Sequence, residues 1–269
     1  TVTVNAVNDA PVATIGLTGS TNEDQSIVIA LSGIDIDGDN LIFSLGSDVT
    51  NGSVIIDGTI ATYTPTANFN GDDSFSFTVS DGFLSDTADV TLTIDAVNDA
   101  PVLEEIENVI LEEDETNNLI LSASDIDADQ LTYDITNGSN IIASILENIV
   151  TFAAPSDFNG SEVFTITVSD GLLIDEQIVI VNVSGINDAP VATVGLAGST
   201  NEDQSVVVNL SGSDIDGDYL LFSIGSDPLN GVISLEGTLI TYIPNENFNG
   251  SDSFSFTVSD GFLSDTADV

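Results

Sequence analysis

The stretch Asp73–Pro101, DSFSFTVSDGFLSDTADVTLTIDAVNDAP, decides the fold of this chain. Its first part alternates Phe75, Phe77 and Val79 with serine and threonine, and a period of two is typical of a β-strand with one buried face. The intervening polar residues, Ser76 among them, are expected to point the other way. An Asp-Gly turn leads into a second alternating run, so the stretch predicts a β-hairpin that ends in an Asn-Asp-Ala-Pro linker.

The linker motif Asn-Asp-Ala-Pro-Val recurs at residues 8–12, 98–102 and 187–191, at spacings of 98 − 8 = 90 and 187 − 98 = 89 residues. A period of about 90 residues is longer than solenoid repeats, and such a unit can bury a core of its own. The sequence therefore predicts a linear array of separately folded repeats. The predicted domains are the last strand of a preceding repeat (1–7), repeat one (8–97), repeat two (98–186) and repeat three without its last strand (187–269).

Within repeat one, alternating runs predict seven short strands, A to G, and no helix. Strand A is placed around Val12–Leu17, strand F around Phe75–Ser80 and strand G around Ala88–Ile94. Seven strands in about 90 residues is typical of a β-sandwich. The fold class predicted for the whole chain is therefore all-β. Further residues assigned to the core are Tyr63, Phe152 and Tyr242.

The composition excludes several classes of protein. The chain has 45 Asp and Glu but no Lys, Arg or His, so it has no basic footprint for nucleic acid or anionic lipid. The absence of Cys excludes a disulfide framework, and no apolar run reaches membrane-spanning length. A hydrophobic fraction of 42% in short alternating runs argues against a disordered acidic tail. We expect a segment of a longer secreted protein, located outside the cell or at its surface.

The two ends of the sequence are complementary halves of one repeat boundary. Asp265–Val269 followed by Thr1–Pro11 reads DTADVTVTVNAVNDAP, and the internal stretch Asp86–Pro101 reads DTADVTLTIDAVNDAP. Two interpretations stay open. Either the sequence is cut from a longer array, or Thr1–Val4 of one copy supplies the missing last strand of repeat three in another copy. The expected partners are thus neighbouring repeats of the same protein and possible further copies of the chain.

Strand parity predicts where the acidic motifs meet. If strand A leaves the leading pole of a repeat, the A–B turn with Glu23 lies at the trailing pole. The B–C loop with Asp35 and Asp37 then lies at the leading pole, and so does the F–G turn with Asp81. At each joint, a trailing pole faces the leading pole of the next repeat across an Asn-Asp-Ala-Pro linker.

These poles define the candidate ligands of each joint. Joint one lies between repeats one and two, and joint two lies between repeats two and three. Joint one draws on Glu23, Asp73, Asn98, Asp99, Asp125, Asp127 and Asp170, and joint two on Glu113, Glu162, Asn187, Asp188, Asp214, Asp216 and Asp260. The first linker brings Asn8 and Asp9 together with Asp35, Asp37 and Asp81.

Calcium (Ca²⁺) is the cofactor that suits this inventory. It takes six to eight oxygen ligands and accepts carboxylate, amide and carbonyl donors together, whereas magnesium demands a strict octahedron. Zinc and copper prefer the His and Cys that the chain lacks. An EF-hand is excluded, because the twelfth position counted from Asp35 is Gly46 and not a bidentate Glu.

The ordered set of motifs resembles the cadherin repeat. With the Asn-Phe-Asn-Gly element it most resembles the tandem cadherin-like domains of large bacterial surface proteins. This resemblance implies Greek-key sandwiches with calcium between domains, in proteins of adhesion, filament or biofilm architecture. It also places the family's A–B turn Glu on Glu202. In place of the family's acid-Arg-acid element before strand F, the chain has Asp73, Glu162 and Asp252 as substitutes.

We therefore expect calcium-stiffened spacer or adhesion repeats that mediate cell-surface attachment or assembly. An enzyme is not expected, because the acidic pairs recur once per repeat and the chain lacks the His, Cys, Lys and Arg that most nucleophilic chemistry needs. The alternative is a carbohydrate-binding, lectin-like module whose partner is cell-surface or matrix polysaccharide.

Overall fold

The computed structural model describes residues 1–269, and every regular element in it is a β-strand. This confirms the predicted all-β fold class. No helix that could cross a membrane is present. The strands of repeat one are β1 (Val12–Ala13), β2 (Leu17–Asn22), β3 (Ile27–Ala30), β4 (Gly33–Ile34), β5 (Ile42–Ser47), β6 (Gly52–Asp57), β7 (Ile60–Pro65), β8 (Gly71–Ser80) and β9 (Ser85–Asp95).

Repeat two follows the same order of strands, and repeat three follows it without a counterpart of β2. Repeat two contains β10 (Val102–Leu103), β11 (Val109–Glu112), β12 (Thr116–Ile120), β13 (Ala123–Ser124), β14 (Thr132–Ile135), β15 (Ile142–Leu146), β16 (Ile149–Ala153), β17 (Gly160–Ser169) and β18 (Ile174–Ser184). Repeat three contains β19 (Val191–Ala192), β20 (Val206–Asn209), β21 (Gly212–Ser213), β22 (Leu221–Ser226), β23 (Gly231–Glu236), β24 (Leu239–Pro244), β25 (Ser255–Ser259) and β26 (Ser264–Asp268).

Two facing sheets make up repeat one. One sheet has the strand order β2-β9-β8-β5, the other has the order β3-β7-β6, and β1 pairs with β4 at one end. The pairing of β2 with β9 is parallel, while the pairings of β8 with its neighbours β5 and β9 are antiparallel. Repeat two repeats this arrangement as β11-β18-β17-β14 and β12-β16-β15. This topology is a seven-stranded sandwich in which the first two strands are each split in two.

Strand A differs from the prediction. Instead of one strand over Val12–Leu17, the chain forms β1 and then β2, which ends at Asn22. Gly16 separates the two with a φ of +79°, a left-handed conformation that glycine adopts without strain. The break lets the chain leave β4 and pair with β9 in the larger sheet.

The core of repeat one follows the predicted alternation. Phe75, Phe77 and Val79 of β8 are fully buried, and Val90 and Leu92 of β9 pack beside them in one cluster. Tyr63 and Phe152 are buried as expected, the latter edge-on against Phe164 in repeat two with ring centroids 5.1 Å apart. Tyr242 of repeat three is only half-buried.

Ser76 is buried although it lies on the polar face of β8. A bulge in β5 between Leu45 and Ser47 covers it. The Ser76 hydroxyl accepts the backbone N–H of Ser47 at 2.7 Å, and its own N–H donates to the Ser47 hydroxyl at 3.0 Å. Ser76 thus points away from Phe75 and Phe77 as expected, but the alternation alone does not show that Ser47 covers this face.

Repeat three leaves one side of its larger sheet open. β26 pairs with β25, and residues 196–201, the counterpart of β2, form no strand. In repeat one β2 pairs with Val90–Asp95, whose counterparts in repeat three begin at Val269. A groove of about 420 Å³ results, lined by Gly198, Val206 and Tyr242 among others. Donation of Thr1–Val4 from another copy to this groove stays a prediction.

The chain divides into two compact units that cut across the repeats. The first contains Thr1–Val102, Ala123–Thr132 and Val168–Asp175, and the second contains Leu103–Ser122, Tyr133–Thr167 and Glu176–Val269. The B–C loop and the F–G turn of repeat two therefore group with repeat one. As a result, joint one lies within the first unit, and the candidate residues of joint two lie within the second.

We expect Phe77→Ala to lower the free energy of unfolding of repeat one by about 3–5 kcal/mol, because it leaves a cavity in a closed core. The matched control is Phe83→Ala, since Phe83 is 89% exposed on the F–G turn and its loss should change stability by less than about 0.5 kcal/mol. Differential scanning calorimetry of the whole chain measures both. Equal shifts for the two variants would contradict the assigned core.

Candidate metal centre

The Asp-Ile-Asp-x-Asp loop of each repeat folds around the carboxylate of its first Asp. In repeat two, Asp125 Oδ1 accepts the backbone N–H groups of Asp127 at 2.9 Å and Asp129 at 3.3 Å. The other oxygen, Oδ2, is buried and has no hydrogen-bond partner, and the same is true of Oδ2 in Asp35 and Asp214. A buried oxygen that no donor reaches costs free energy unless a cation binds it.

The linker is fixed to this loop and to the F–G turn by side-chain contacts. In joint one, Asp99 donates its backbone N–H to Asp127 Oδ2 at 2.8 Å. Asn98 Nδ2 donates to Asp170 Oδ2 at 2.8 Å and to the Asp99 carbonyl at 3.0 Å. The side-chain nitrogen of Asn98 is thereby occupied. Its side-chain oxygen is therefore the atom of this amide that can face a cation. The same contacts recur between Asn8, Asp9, Asp37 and Asp81, and between Asn187, Asp188, Asp216 and Asp260.

The F–G turn Asp positions the linker. Asp170 Oδ1 accepts the backbone N–H groups of Leu172 and Leu173 at 2.6 and 2.7 Å, and Oδ2 accepts Asn98. The hydrogen bond from Asn98, followed by those from the two leucines, holds the pKa of the Asp170 carboxyl below its usual range. Asp81 and Asp260, both predicted ligands like Asp170, make the equivalent contacts. Both oxygens of these carboxylates already have donors, so the turn orients the linker beside the site.

Glu23 reaches the same place from the A–B turn of repeat one. It is only 3% exposed, its Oε1 accepts the backbone N–H of Val97 at 2.5 Å, and its Oε2 is buried without a partner. Carboxylate oxygens of Glu23, Asp99 and Asp127 all lie within 4.8 Å of one another. Asp99 Oδ2 is also buried and unpartnered. Turn, linker and loop thus converge on one acidic centre in the first unit.

A second group of carboxylates lies in the B–C loop itself. Oxygens of Asp125, Asp127 and Asp129 lie within 4.8 Å of one another, and the same holds for Asp214, Asp216 and Asp218. The third Asp of the loop, which also recurs as Asp39, was not among the predicted ligands. Its signal was present in the regular Asp-x-Asp-x-Asp spacing, in which alternate side chains of a tight loop can converge.

Joint two has the corresponding residues in the second unit, but Glu113, Asp188 and Asp216 do not form a close group of carboxylates like that of Glu23, Asp99 and Asp127. Glu113 is 2% exposed and accepts the backbone N–H of Ile186, as Glu23 accepts that of Val97. Asp188 donates its N–H to Asp216 Oδ2 at 2.8 Å. In repeat three, by contrast, Glu202 is exposed.

Like charges act on the central linker residue of each joint. Burial, followed by the charges of Asp127, Asp24 and Glu23, raises the pKa of the Asp99 carboxyl. Burial also raises the pKa of the Asp188 carboxyl, together with the charges of Asp157 and Asp216. In both joints the ionised form is therefore disfavoured until a counter-charge arrives.

Three other predicted ligands lie in a different network. Asp73 accepts the backbone N–H groups of Thr50 and Asn51 in the C–D turn at 3.1 and 2.8 Å, together with the Tyr63 hydroxyl at 3.4 Å. Asp252 repeats these contacts with Leu229, Asn230 and Tyr242, and Glu162 accepts N–H groups of Ser139, Asn140 and Ile141. The structure does not bring these three carboxylates into the acidic groups of the joints.

The hydrogen bonds around Asp73 determine its charge state. Burial pushes the pKa of the Asp73 carboxyl up, but donors from Thr50, Asn51 and Ser74 outweigh it and hold the pKa below its usual range. Burial and the neighbouring Asp73 raise the pKa of the Tyr63 hydroxyl to about 12. Asp73 thus stays ionised in a ring of N–H and O–H donors, which is a structural role in the C–D turn.

The residues around Asp99 fit a hard divalent cation. The donor set consists of carboxylate, amide and carbonyl oxygens, several of its oxygens are buried without a partner, and the chain has no basic side chain to pair with them. Calcium accepts such a mixed oxygen set. Glu23, Asp99, Asp125, Asp127 and Asn98 would hold it in joint one, and it would supply the missing positive charge.

Replacing Asp99 and Asp73 by Asn should have opposite effects on the metal-free chain. Asp99→Asn removes a negative charge that neighbouring carboxylates repel. In the presence of chelator, the midpoint temperature of unfolding should therefore rise. Asp73→Asn turns one of the two acceptor oxygens into an N–H donor, so the groups that donate to that oxygen lose their acceptor, which should cost about 1–3 kcal/mol. Calorimetry in chelator measures both. A loss of stability for both variants would contradict the repulsion assigned to Asp99.

The pH dependence of the metal-free chain should show a maximum on the acid side of neutrality. Asp99 and Asp188 have raised pKa values, so their repulsion is relieved first as the pH falls. Asp73 and Asp170 have lowered pKa values, so their contribution is complete above the ordinary Asp pKa of about 3.9 and is lost as the pH falls through the lowered values. The melting temperature should therefore rise as the pH falls through the raised pKa values of Asp99 and Asp188, and fall once the pH drops below the ordinary Asp pKa of about 3.9. A steady decline from pH 7 downwards would be the contrary result.

Known proteins share both the sequence pattern and the fold of this chain. Residues 8–93, 98–182 and 187–269 each match the bacterial Ig domain family. Over 114 residues the chain is 33% identical to chitinase A of Pseudoalteromonas piscicida, a match that covers 39% of this chain and 13% of the chitinase. The chain thus corresponds to a small part of that relative.

One solved structure illustrates the fold. The EC22–24 fragment of mouse cadherin-23 superposes with a TM-score of 0.61 at 14% identity, covering 98% of this chain and 97% of the fragment. An endo-fucoidan hydrolase of glycoside hydrolase family 107 gives a TM-score of only 0.32 at 18% identity, covering 94% of this chain and 42% of the hydrolase. The cadherin likeness shows the fold alone. The chain belongs to the bacterial Ig domain family, as three tandem repeats with a cadherin-like fold.

Proposed function

We propose that this chain is a calcium-stiffened spacer and adhesion segment of a large bacterial surface protein. The observation that carries the proposal is the meeting of Glu23, Asp99 and Asp127 within 4.8 Å, with buried oxygens of Glu23 and Asp99 that no donor reaches. The side chains of these acidic centres give no support for a catalytic role, since the centres recur at linkers and have no basic partner.

The position of the site explains how an ion would act. Glu23 belongs to repeat one, Asp99 to the linker, and Asp127 to the B–C loop of repeat two. An ion that binds all three ties the linker to both neighbours at once. Two carboxylates about 4 Å apart repel by roughly 1 kcal/mol in water and by about 4 kcal/mol at the effective dielectric of a protein surface. A divalent cation turns this repulsion into attraction, and the joint should then hold one geometry.

An extracellular location agrees with this mechanism. Extracellular calcium modules bind the ion with dissociation constants of about 10⁻⁴–10⁻³ M, which suits a compartment where calcium is abundant. The bacterial Ig domain family and the cadherin-like fold support a surface or secreted protein. In this role, the repeats hold a distal adhesive part at a fixed distance from the cell.

Carbohydrate binding is the second candidate function, and the match to chitinase A favours it. That match identifies a related stretch in a protein named for its action on chitin, and such a stretch could bind or present polysaccharide. Titration of the calcium-loaded chain against chitin oligosaccharides and a panel of surface glycans separates the two candidates. Saturable binding supports the lectin-like role, and a flat response supports the spacer.

Small-angle X-ray scattering with and without chelator tests the stiffening. With calcium we expect a longer maximum dimension and a narrower distribution of distances, because both joints are locked. Asp125→Ala should weaken calcium binding at joint one several-fold and broaden the distribution, since Asp125 organises the loop and presents an unpartnered oxygen.

The control for this experiment is Asp57→Ala, because Asp57 lies exposed at the end of β6, away from the acidic groups. It should leave both calcium affinity and scattering unchanged. Identical scattering curves for the wild-type chain in calcium and in chelator would refute the stiffening. Equal losses of affinity for the two variants would refute the location of the site.

A further inference from the structure

We propose that joint one is a preformed calcium site that fills at lower calcium than joint two, and that the linker residue Ala96 or Gly185 contributes to this difference. The inference rests on the function proposed above and adds an order to it, because joint one then stiffens first. Ala96 and Gly185 stand at the same place, two residues before the linker Asn. Neither side chain offers an oxygen to a metal, so both are positioning residues.

The carboxylates of joint one already converge without metal. Glu23 is only 3% exposed, and its Oε2 has no hydrogen-bond partner. Carboxylate oxygens of Glu23, Asp99 and Asp127 lie within 4.8 Å of one another, and Asp99 Oδ2 is also buried and unpartnered. The fold thus holds three like charges together, so a cation that binds there relieves repulsion and needs little rearrangement of its ligands.

The corresponding carboxylates of joint two are not gathered in this way. Glu113 is as buried as Glu23, but it forms no close group with Asp188 and Asp216. Neither Glu113 nor Asp188 has a buried oxygen without a partner. An ion at joint two therefore has to draw the linker and the loop into place as it binds, and the conformational entropy lost in that step lowers the affinity.

The turn Glu of each joint holds the linker at two points on either side of one residue. Glu23 donates its backbone N–H to the carbonyl of Asp95 at 3.0 Å, and its Oε1 accepts the N–H of Val97. Glu113 makes the same two contacts with Ser184 and Ile186. The residue between the contacts is Ala96 in joint one and Gly185 in joint two. Because glycine has the larger backbone freedom, the path to the Asn-Asp of joint two is less constrained.

The fold does not require glycine at position 185. Gly185 is not among the residues with positive φ. A Cβ placed there would lie 3.4 Å from Asn159 Nδ2 and 3.6 Å from Glu113 Oε1, which are ordinary van der Waals contacts. Alanine therefore fits, and its methyl group would pack against the carboxylate that the ion has to reach.

A second difference concerns the A–B turn that carries the turn Glu. In repeat one, Asn68 donates its N–H to Asp24 Oδ1 at 3.1 Å, which ties this turn to the loop before β8. Repeat two has acids at both of these positions, Asp157 and Asp114, and no hydrogen bond joins them. Like charges disfavour such a contact. The turn with Glu113 thus has one tether fewer.

Two matched variants measure the joints separately by isothermal titration calorimetry with calcium. Glu113→Gln leaves joint one intact, and Glu23→Gln leaves joint two intact. Glutamine keeps an acceptor for the linker N–H, so both variants should fold, which thermal unfolding in chelator checks. We expect the dissociation constant of Glu113→Gln to be about tenfold lower than that of Glu23→Gln. Oxygens of the first linker are present in both variants and do not affect the comparison.

A reciprocal exchange in the linker tests the positioning role. Gly185→Ala, added to Glu23→Gln, should tighten calcium binding at joint two by about two- to fivefold. Ala96→Gly, added to Glu113→Gln, should weaken binding at joint one by a similar factor. A merely structural role would change the melting temperature in chelator and leave the calcium affinity as it was.

The outcomes separate the claims. Equal affinities in the two Gln variants, or tighter binding in Glu23→Gln, overturn the ranking and leave the calcium joints in place. Exchanges that change the melting temperature but not the affinity overturn the role of Ala96 and Gly185. Absence of calcium binding in the wild-type chain overturns the proposed function, and this inference with it.

Discussion

This chain has to fold with many carboxylates and with no cationic side chain to pair with them. With 45 acids and no Lys, Arg or His, no buried carboxylate can be neutralised from within. Two other partners remain, namely backbone and hydroxyl donors or an ion from solution. The structure uses the first partner inside each repeat, and in joint one it leaves buried oxygens of Glu23 and Asp99 without any donor. This division explains why acidic residues can be buried in both places.

The contrast between Asp73 and Asp99 shows the division most clearly. Donors from Thr50, Asn51 and Ser74 surround Asp73, and its pKa is lowered although it is buried. Asp99 is surrounded by other acids, and its pKa is raised. The two residues have the same side chain, but one completes a turn and the other awaits a counter-charge. Position relative to the backbone N–H groups, and not residue type, decides between these roles.

Much of the fold followed from the sequence because its signals are local and repeated. The alternation in β8 predicted the buried row with Phe77, and the recurring linker predicted tandem repeats. Strand parity predicted that the linker, the B–C loop and the F–G turn come together, and Asn98 does contact Asp170 while Asp99 contacts Asp127. These contacts place the predicted residues near one another, while their role as metal ligands stays a prediction.

Other features depend on contacts that no local pattern reveals. The bulge at Ser47 that covers Ser76 depends on the pairing of β5 with β8. The partners of Asp73 lie more than twenty residues away in the C–D turn, so an acid before strand F could not be told from a ligand. The split of strand A was signalled only by Gly16.

The parallel pairing of β2 with β9 bears on how a repeat responds to mechanical load. Six residues of β2, Leu17–Asn22, run beside Val90–Asp95, and β9 continues directly into the next linker. Tension transmitted along the chain enters near β2 and leaves at the end of β9, so it pulls the two strands past each other in opposite directions. Their hydrogen bonds lie across the direction of pull and must break together, whereas a hairpin pulled from its open end separates one bond at a time. This geometry suits a tether that has to survive shear flow.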